Sequence, residues 1–439
     1  MSGQVLAHGI GGRQDLPVPF EHALAGAVVA LVATVMVLAL AWRRSRFRGD
    51  TTGRPLPTPL AGFLDARATR LALRVAGVLA AGWAVVELLA GPPSGPDNPV
   101  PGVLYVVMWV WVPLASVLLG PVWRMISPVR TLHGALTRLT GQRPDEGIVR
   151  LPERWGYWPA AIALASFVWL ELVPPDRANV PVVGLALAVY AAVTLLGGLL
   201  FGAGWFASAD PFEVYSTLAA RLAPIGRRRD GRLVVRNPFN GLDATPIRPG
   251  LVPVVLVLLG STAYDSLSNA PQWLQLTQRA SFPVLVGTAG LAGCIALISI
   301  LYAAATRAAG SVGGDRRQLP GLFAHSIVPI ALGYIVAHYY SLAIIEGQRT
   351  LVLATSTADQ SDNLLGLSTV DINYRLVQPA LVASLQVTAV VAGHITGAVA
   401  AHDRAVRIFP GTRSTAAQTP LLLLMIAYTY VGLTLLFAA

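Results

Sequence analysis

Two apolar stretches of this chain carry side chains able to do chemistry. GLFAHSIVPIALGYIVAHYYSLAIIEGQ holds His325, His338, Tyr339, Tyr340 and Glu346, and LVASLQVTAVVAGHITGAVAAHDRAV holds His394, His402, Asp403 and Arg404. Ionisable groups in apolar segments are costly to bury, so each is a functional candidate by default. Glu87, Glu171 and Asp265 come from three other apolar runs. His338 and Glu346 are separated on one helix by about 80° of rotation. If the helices converge, His338, Asp265 and Glu346 line one polar pocket and are the candidate catalytic residues, with His8 and His22 approaching from the N-terminal segment as further metal ligands. Imidazole and carboxylate suit zinc, manganese or iron. A divalent metal there would lower the pKa of bound water to about 7 and supply a hydroxide nucleophile. The plainer alternative is that carboxylates at helix ends simply face water.

His325 and His394 offer a second metal or single-haem position. His325 and His338 lie about 20 Å apart along their helix, and His394 and His402 about 12 Å apart along theirs. The two intervals do not match, which argues against a two-haem ladder and makes haem an unfavoured cofactor. The alternative is that these histidines only bond neighbouring helices. Gly393 and Gly397 would let another helix approach beside His394. His402, Asp403 and Arg404 read as a self-paired charge cluster at a helix end. No HExxH, GxSxG, Walker A or GxGxxG pattern is present, and one cysteine, Cys294, excludes an internal disulfide.

The elements that must position these groups are membrane helices. The 439 residues are 54% hydrophobic and 12% charged, with a mean hydropathy of +0.60, where soluble domains are about 25% charged. The fold class is therefore all-α, a polytopic integral membrane helix bundle. Ten apolar runs are long enough to span: 21–42, 70–90, 103–123, 157–173, 180–205, 251–268, 283–305, 321–346, 377–401 and 417–438. The 32 basic residues are all Arg, and 27 of them fall at 43–70, 121–156, 206–250, 306–320 and 402–415 or just inside the second span. The positive-inside rule makes these loops cytoplasmic and puts both termini outside, in a bacterial plasma membrane. The net charge of +10 thus reflects topology, and nucleic acid is not an expected partner; the lipid bilayer is.

Residues 1–20 read as an outside strap and 21–439 as one transmembrane domain. The seven residues before His8 contain no apolar core of a signal peptide. Were His8 the first mature residue, its amine and imidazole could chelate copper. Gly120-Pro-Val-Trp123 leading to Ser127-Pro128 is echoed by Gly202-Ala-Gly-Trp205 leading to Asp210-Pro211, about 83 residues on, which would make spans three–four and five–six a parallel repeat. Ser or Asp before Pro marks a helix start. The following segments, PVRTLHGALTRL and PFEVYSTLAARL, predict two short amphipathic helices on the cytoplasmic face. GRRRDGRLVVRNPFNG suggests a basic loop with a short hairpin, and 353–375 a long outer loop.

HGIGGRQDLPVP at 8–19, GPVWRMISPVRTLH at 120–133, DPFEVYS at 210–216 and GHITGAVAAHDRA at 393–405 resemble the bacterial polytopic membrane proteins known as fenitrothion hydrolases. The resemblance implies attack of water on the phosphorus of a lipophilic organophosphorus triester, with release of a nitrophenol. A metal hydroxide oriented by a carboxylate would suffice for so good a leaving group. The alternatives are a transporter or metal-ion permease, since parallel repeats and polar groups at membrane depth also describe one, or a non-catalytic subunit of a membrane complex. Oligomeric state is not legible.

Overall fold

The computed structural model describes residues 12–311, 315–355, 371–409 and 413–437. His8, most of the 1–20 strap and most of the 353–375 loop lie outside these residues. Nine helices among the described residues are long and apolar enough to cross a membrane: α1 (Phe20–Ala41), α2 (Arg67–Ala90), α3 (Val100–Leu119), α6 (Val180–Phe201), α8 (Leu251–Ser268), α9 (Pro283–Ala308), α10 (Leu319–Thr355), α11 (Pro379–Ile408) and α12 (Arg413–Leu436). Between them lie α4 (Pro128–Leu139), α5 (Trp158–Leu172) and α7 (Pro211–Ala219). The fourth expected span is α5. Its 15 residues reach only about 22 Å at 1.5 Å each, short of the roughly 30 Å hydrocarbon layer.

The centre is formed by α8 and α10, of which 72% and 78% of the apolar window is buried, whereas α2 buries 6% and α9 11%. Outer helices that are apolar all round have lipid rather than water as their second solvent. Glycine explains the close seam between α10 and α11. A Cβ on Gly393 would come within 2.7 Å of the Pro329 carbonyl oxygen, and one on Gly397 within 2.7 Å of that of Ser326. The approach expected at these two glycines is thus the α10–α11 contact.

Both short helices start where the sequence predicts. The Ser127 hydroxyl accepts from the Arg130 amide, and the Asp210 carboxylate from the amides of Phe212 and Glu213. Their settings differ. Helix α4 buries Val129, His133 and Thr137 and leaves Leu132, Leu136 and Leu139 exposed, as an interfacial helix would. Helix α7 is buried on nearly every side, so it does not lie on a surface. The basic loop does contain a hairpin, β2 (Ile225–Arg227) and β3 (Leu233–Val235), to which β1 (Arg54–Pro55) adds on the other edge of β3, all antiparallel.

Candidate functional site

Helices α5, α8 and α10 bring four ionisable side chains together in the core. Asp265 lies near the end of α8, and its Oδ2 sits 2.9 Å from Nε2 of His338 on α10. The next residue, Tyr339, places its hydroxyl 3.1 Å from the same Oδ2 and 2.7 Å from Oε1 of Glu171 on α5. On the far side of the imidazole, the Tyr334 hydroxyl is 3.2 Å from Nδ1, and the Ser266 hydroxyl is 2.6 Å from Tyr334. The Tyr334 and His338 rings stack at 5.2 Å. All six residues are buried.

Helix spacing accounts for the grouping. Tyr334 and His338 are four apart on α10 and so share a face, and Ser266 follows Asp265 on α8. The hydroxyls of Ser266 and Tyr334 and the imidazole of His338 can each both donate and accept, and Nε2 of His338 closes on Asp265 as an ion-pair contact at 2.9 Å. Tyr339 has one phenol proton and two carboxyl oxygens in reach. Closing both bonds therefore requires a carboxylic proton, since a phenol donates only once. A linked row of groups that each donate and accept is a path along which protons can move.

The third expected member is elsewhere. Glu346 is two turns further along α10, half-buried, and among the described residues its carboxylate makes no hydrogen bond or ion pair to His338 or Asp265. Glu171 stands in that role. Spacing on α10 alone could not reveal this, because the partner comes from a helix whose rotation is set by packing. The other expected ligands are dispersed. His22 is exposed on α1. His325 bonds the Leu322 carbonyl at 3.0 Å, and His394 the Val390 carbonyl at 2.8 Å with its ring 6.0 Å from that of Tyr428. Among the described residues no three His, Cys, Asp or Glu are grouped to hold a metal ion. His338 sits with Nε2 2.9 Å from Asp265 and Nδ1 3.2 Å from the Tyr334 hydroxyl. The His402–Asp403–Arg404 cluster pairs locally as expected. His402 meets Gln418 and the Trp42 carbonyl, Asp403 accepts from Trp42 and Ser45, and Arg404 bonds Asp243.

Beside this row runs a large apolar cavity of about 1330 Å³, walled by α2, α3, α4, α6 and α10, and none of its lining residues is charged. Glu171, Asp265 and His338 do not line it. The partition is α3, which is π-helical over Val103–Trp111, a form frequent at functional sites. The irregular stretch runs up to Pro113, whose ring would clash with the Trp109 carbonyl in a regular α-turn. Met108 and Trp111 face the cavity, while the Trp109 indole faces Glu171 and Tyr339.

A second buried cluster joins the two echoed segments. Arg130 of α4 and Glu213 of α7 form a two-pronged ion pair at 2.7 and 2.8 Å, 83 residues apart, each three residues after its helix cap. The Trp123 indole and Tyr190 hydroxyl, both lining the cavity, donate to Oδ2 of Asp210 at 3.0 and 2.9 Å. Burial, with the charge of Glu213 adding to it, pushes the Asp210 carboxyl up to about 7. The echo in the sequence marked both helices but not their mutual pairing. Comparison with family models, with curated proteins and with solved structures gave no match.

Proposed function

We infer that this chain is a membrane transporter that couples movement of a neutral lipophilic solute to protons, with Glu171, Asp265 and His338 as proton carriers and Tyr339 and Tyr334 as relays. The observation that carries this reading is the buried row from Glu171 to Ser266, in which hydrogen bonds and one 2.9 Å His338–Asp265 contact bring six polar side chains together. Carboxylates and imidazole held at membrane depth are the parts from which proton relays are made. The uncharged cavity on the other side of α3 has the size and lining for a lipophilic molecule entering from the bilayer. Helix α10 contributes to both, through His338 and Tyr339 to the row and through Ala343, Ile344 and Gly347 to the cavity. The hydrolytic reading implied by the resemblance would need the triester to reach His338 and Asp265, and the cavity stops short of them.

The arginine distribution supports a bacterial plasma membrane location with both termini outside. That parity requires an even number of crossings, so α5 counts as the tenth despite its length.

Proteoliposomes loaded with a pH-sensitive dye test this, with fenitrothion as the lipophilic probe. The expected result is a fenitrothion-dependent change of lumenal pH, reduced at least tenfold in Asp265→Asn and in Glu171→Gln, without nitrophenol release. Chelator-sensitive release of nitrophenol would instead favour the hydrolase. Neither signal, with that probe or with other neutral lipophilic probes, would leave the complex subunit as the better reading.

A further inference from the structure

Away from the buried row, the arginine-rich loops enclose a polar cleft of about 580 Å³. Its walls come from four separate segments. Arg48 and Asp50 follow α1, Arg229 sits in the β2–β3 turn, Asp243 ends the short helix Pro238–Asp243 before α8, and Arg404 and Arg407 end α11. The ion pairs leave the cleft positive. Asp243 takes both Arg404, at 2.8 Å, and Arg407, and Asp50 takes both Arg236, at 2.6 Å, and Arg221, at 3.6 Å. Two carboxylates thus hold four guanidinium groups. Arg48 and Arg229 line the same space, and among the described residues neither side chain has an acidic partner.

The cleft is also built rather than incidental. The Arg404 side chain is 8% exposed and further tied to the carbonyls of Leu322 and Asp243. The segment carrying Arg48 is tied down by Asp403, which accepts from the amides of Arg46 and Phe47, and by Asn240, which accepts from the amide of Arg48. Guanidinium groups are planar forks that match phosphate oxygens in pairs. Basic pockets at the ends of membrane helices suit anionic headgroups for the same reason.

The geometry points to a binding site for a phosphate-bearing anion in this cleft, with Arg48 and Arg229 as its direct ligands and Arg404 and Arg407 as the fixed positive wall behind them. The phosphate comes either from a soluble molecule or from the headgroup of an anionic lipid, and both present the same oxygens. Arg48 and Arg229 are exposed, so replacing them leaves the fold intact.

The test uses the full chain in nanodiscs. In phosphatidylcholine discs, pyrophosphate is titrated while the melting temperature is followed. In discs of phosphatidylcholine with phosphatidylglycerol, native mass spectrometry counts the anionic lipids that stay bound. A pyrophosphate-dependent rise in melting temperature, weakened at least tenfold in concentration by Arg48→Gln/Arg229→Gln, supports the site and assigns it to soluble phosphate. Retained phosphatidylglycerol lost in the same double variant supports it and assigns it to lipid. Arg48→Lys, which keeps the charge but not the fork, should weaken binding less than Arg48→Gln. Overturning the proposal takes either of two results: no binding of either probe to the wild-type chain, or binding that the double variant leaves unchanged.

Discussion

Tyr339 stands within hydrogen-bond distance of both Glu171 and Asp265 with one phenol proton of its own, which makes it the informative residue to change. Tyr339→Phe removes the bridge and the 2.7 Å bond to Glu171, at a cost of about 1–3 kcal/mol for a buried carboxyl oxygen left without its partner. A lower melting temperature and a tenfold loss of solute-driven pH change are the expected outcomes, read in detergent and in proteoliposomes respectively. Asp210 makes a pH prediction. Its raised carboxyl, about 7, means the folded state holds a proton that the unfolded chain releases at the usual carboxylate pKa near 4. Its contribution to stability is therefore full at acid pH and lost as pH rises through about 7. Melting temperature should fall between pH 5 and pH 8. In Asp210→Asn, which keeps an oxygen for the amides of Phe212 and Glu213, that fall should largely disappear. The partnership of His338 with Asp265 was legible in the sequence, since both are ionisable groups in apolar runs. Glu171 was visible as an acid but not as the partner, and Tyr334 could have been found from its four-residue spacing to His338. Glu346 was a natural choice by type, yet among the described residues it makes no bond to His338 or Asp265, because rotation around a helix is decided by neighbours.

At the scale of elements, apolar run length and proline-marked starts gave away nearly every helix, while depth in the bundle was hidden. Helix α7 shows why. Its polar residues Asp210, Glu213 and Ser216 read as a solvent face, but Tyr190, Arg130 and Ser116 satisfy them in the interior. The π-helical turn of α3 was equally hidden, because one residue of register leaves no mark on an apolar run. Small residues, in contrast, were informative. Gly393 faces the Pro329 carbonyl so closely that Gly393→Val must push α10 and α11 apart. Moving α10 would disturb His338, so the variant should lose both thermal stability and solute-driven pH change, whereas Gly432→Ala, with open space around it, should lose neither.

For the whole molecule, the arginine asymmetry and the cavity make separate predictions. Alkaline phosphatase fused to either terminus should be active outside the cell, and activity at only one end would mean an odd number of crossings. Ala188 lines the cavity, so Ala188→Trp should fill part of it and depress solute-driven pH change with little change in melting temperature. The cavity had no signature in the sequence, since its lining residues come from five helices and are individually ordinary. One consequence reaches beyond any single site. Arg130 and Glu213 occupy matching places in the two echoed segments and grip each other. Two identical copies could never do this, for equal positions would carry equal charge. Doubling the first segment would set arginine against arginine, and doubling the second glutamate against glutamate. What binds these segments is the difference between them, and neither can substitute for the other.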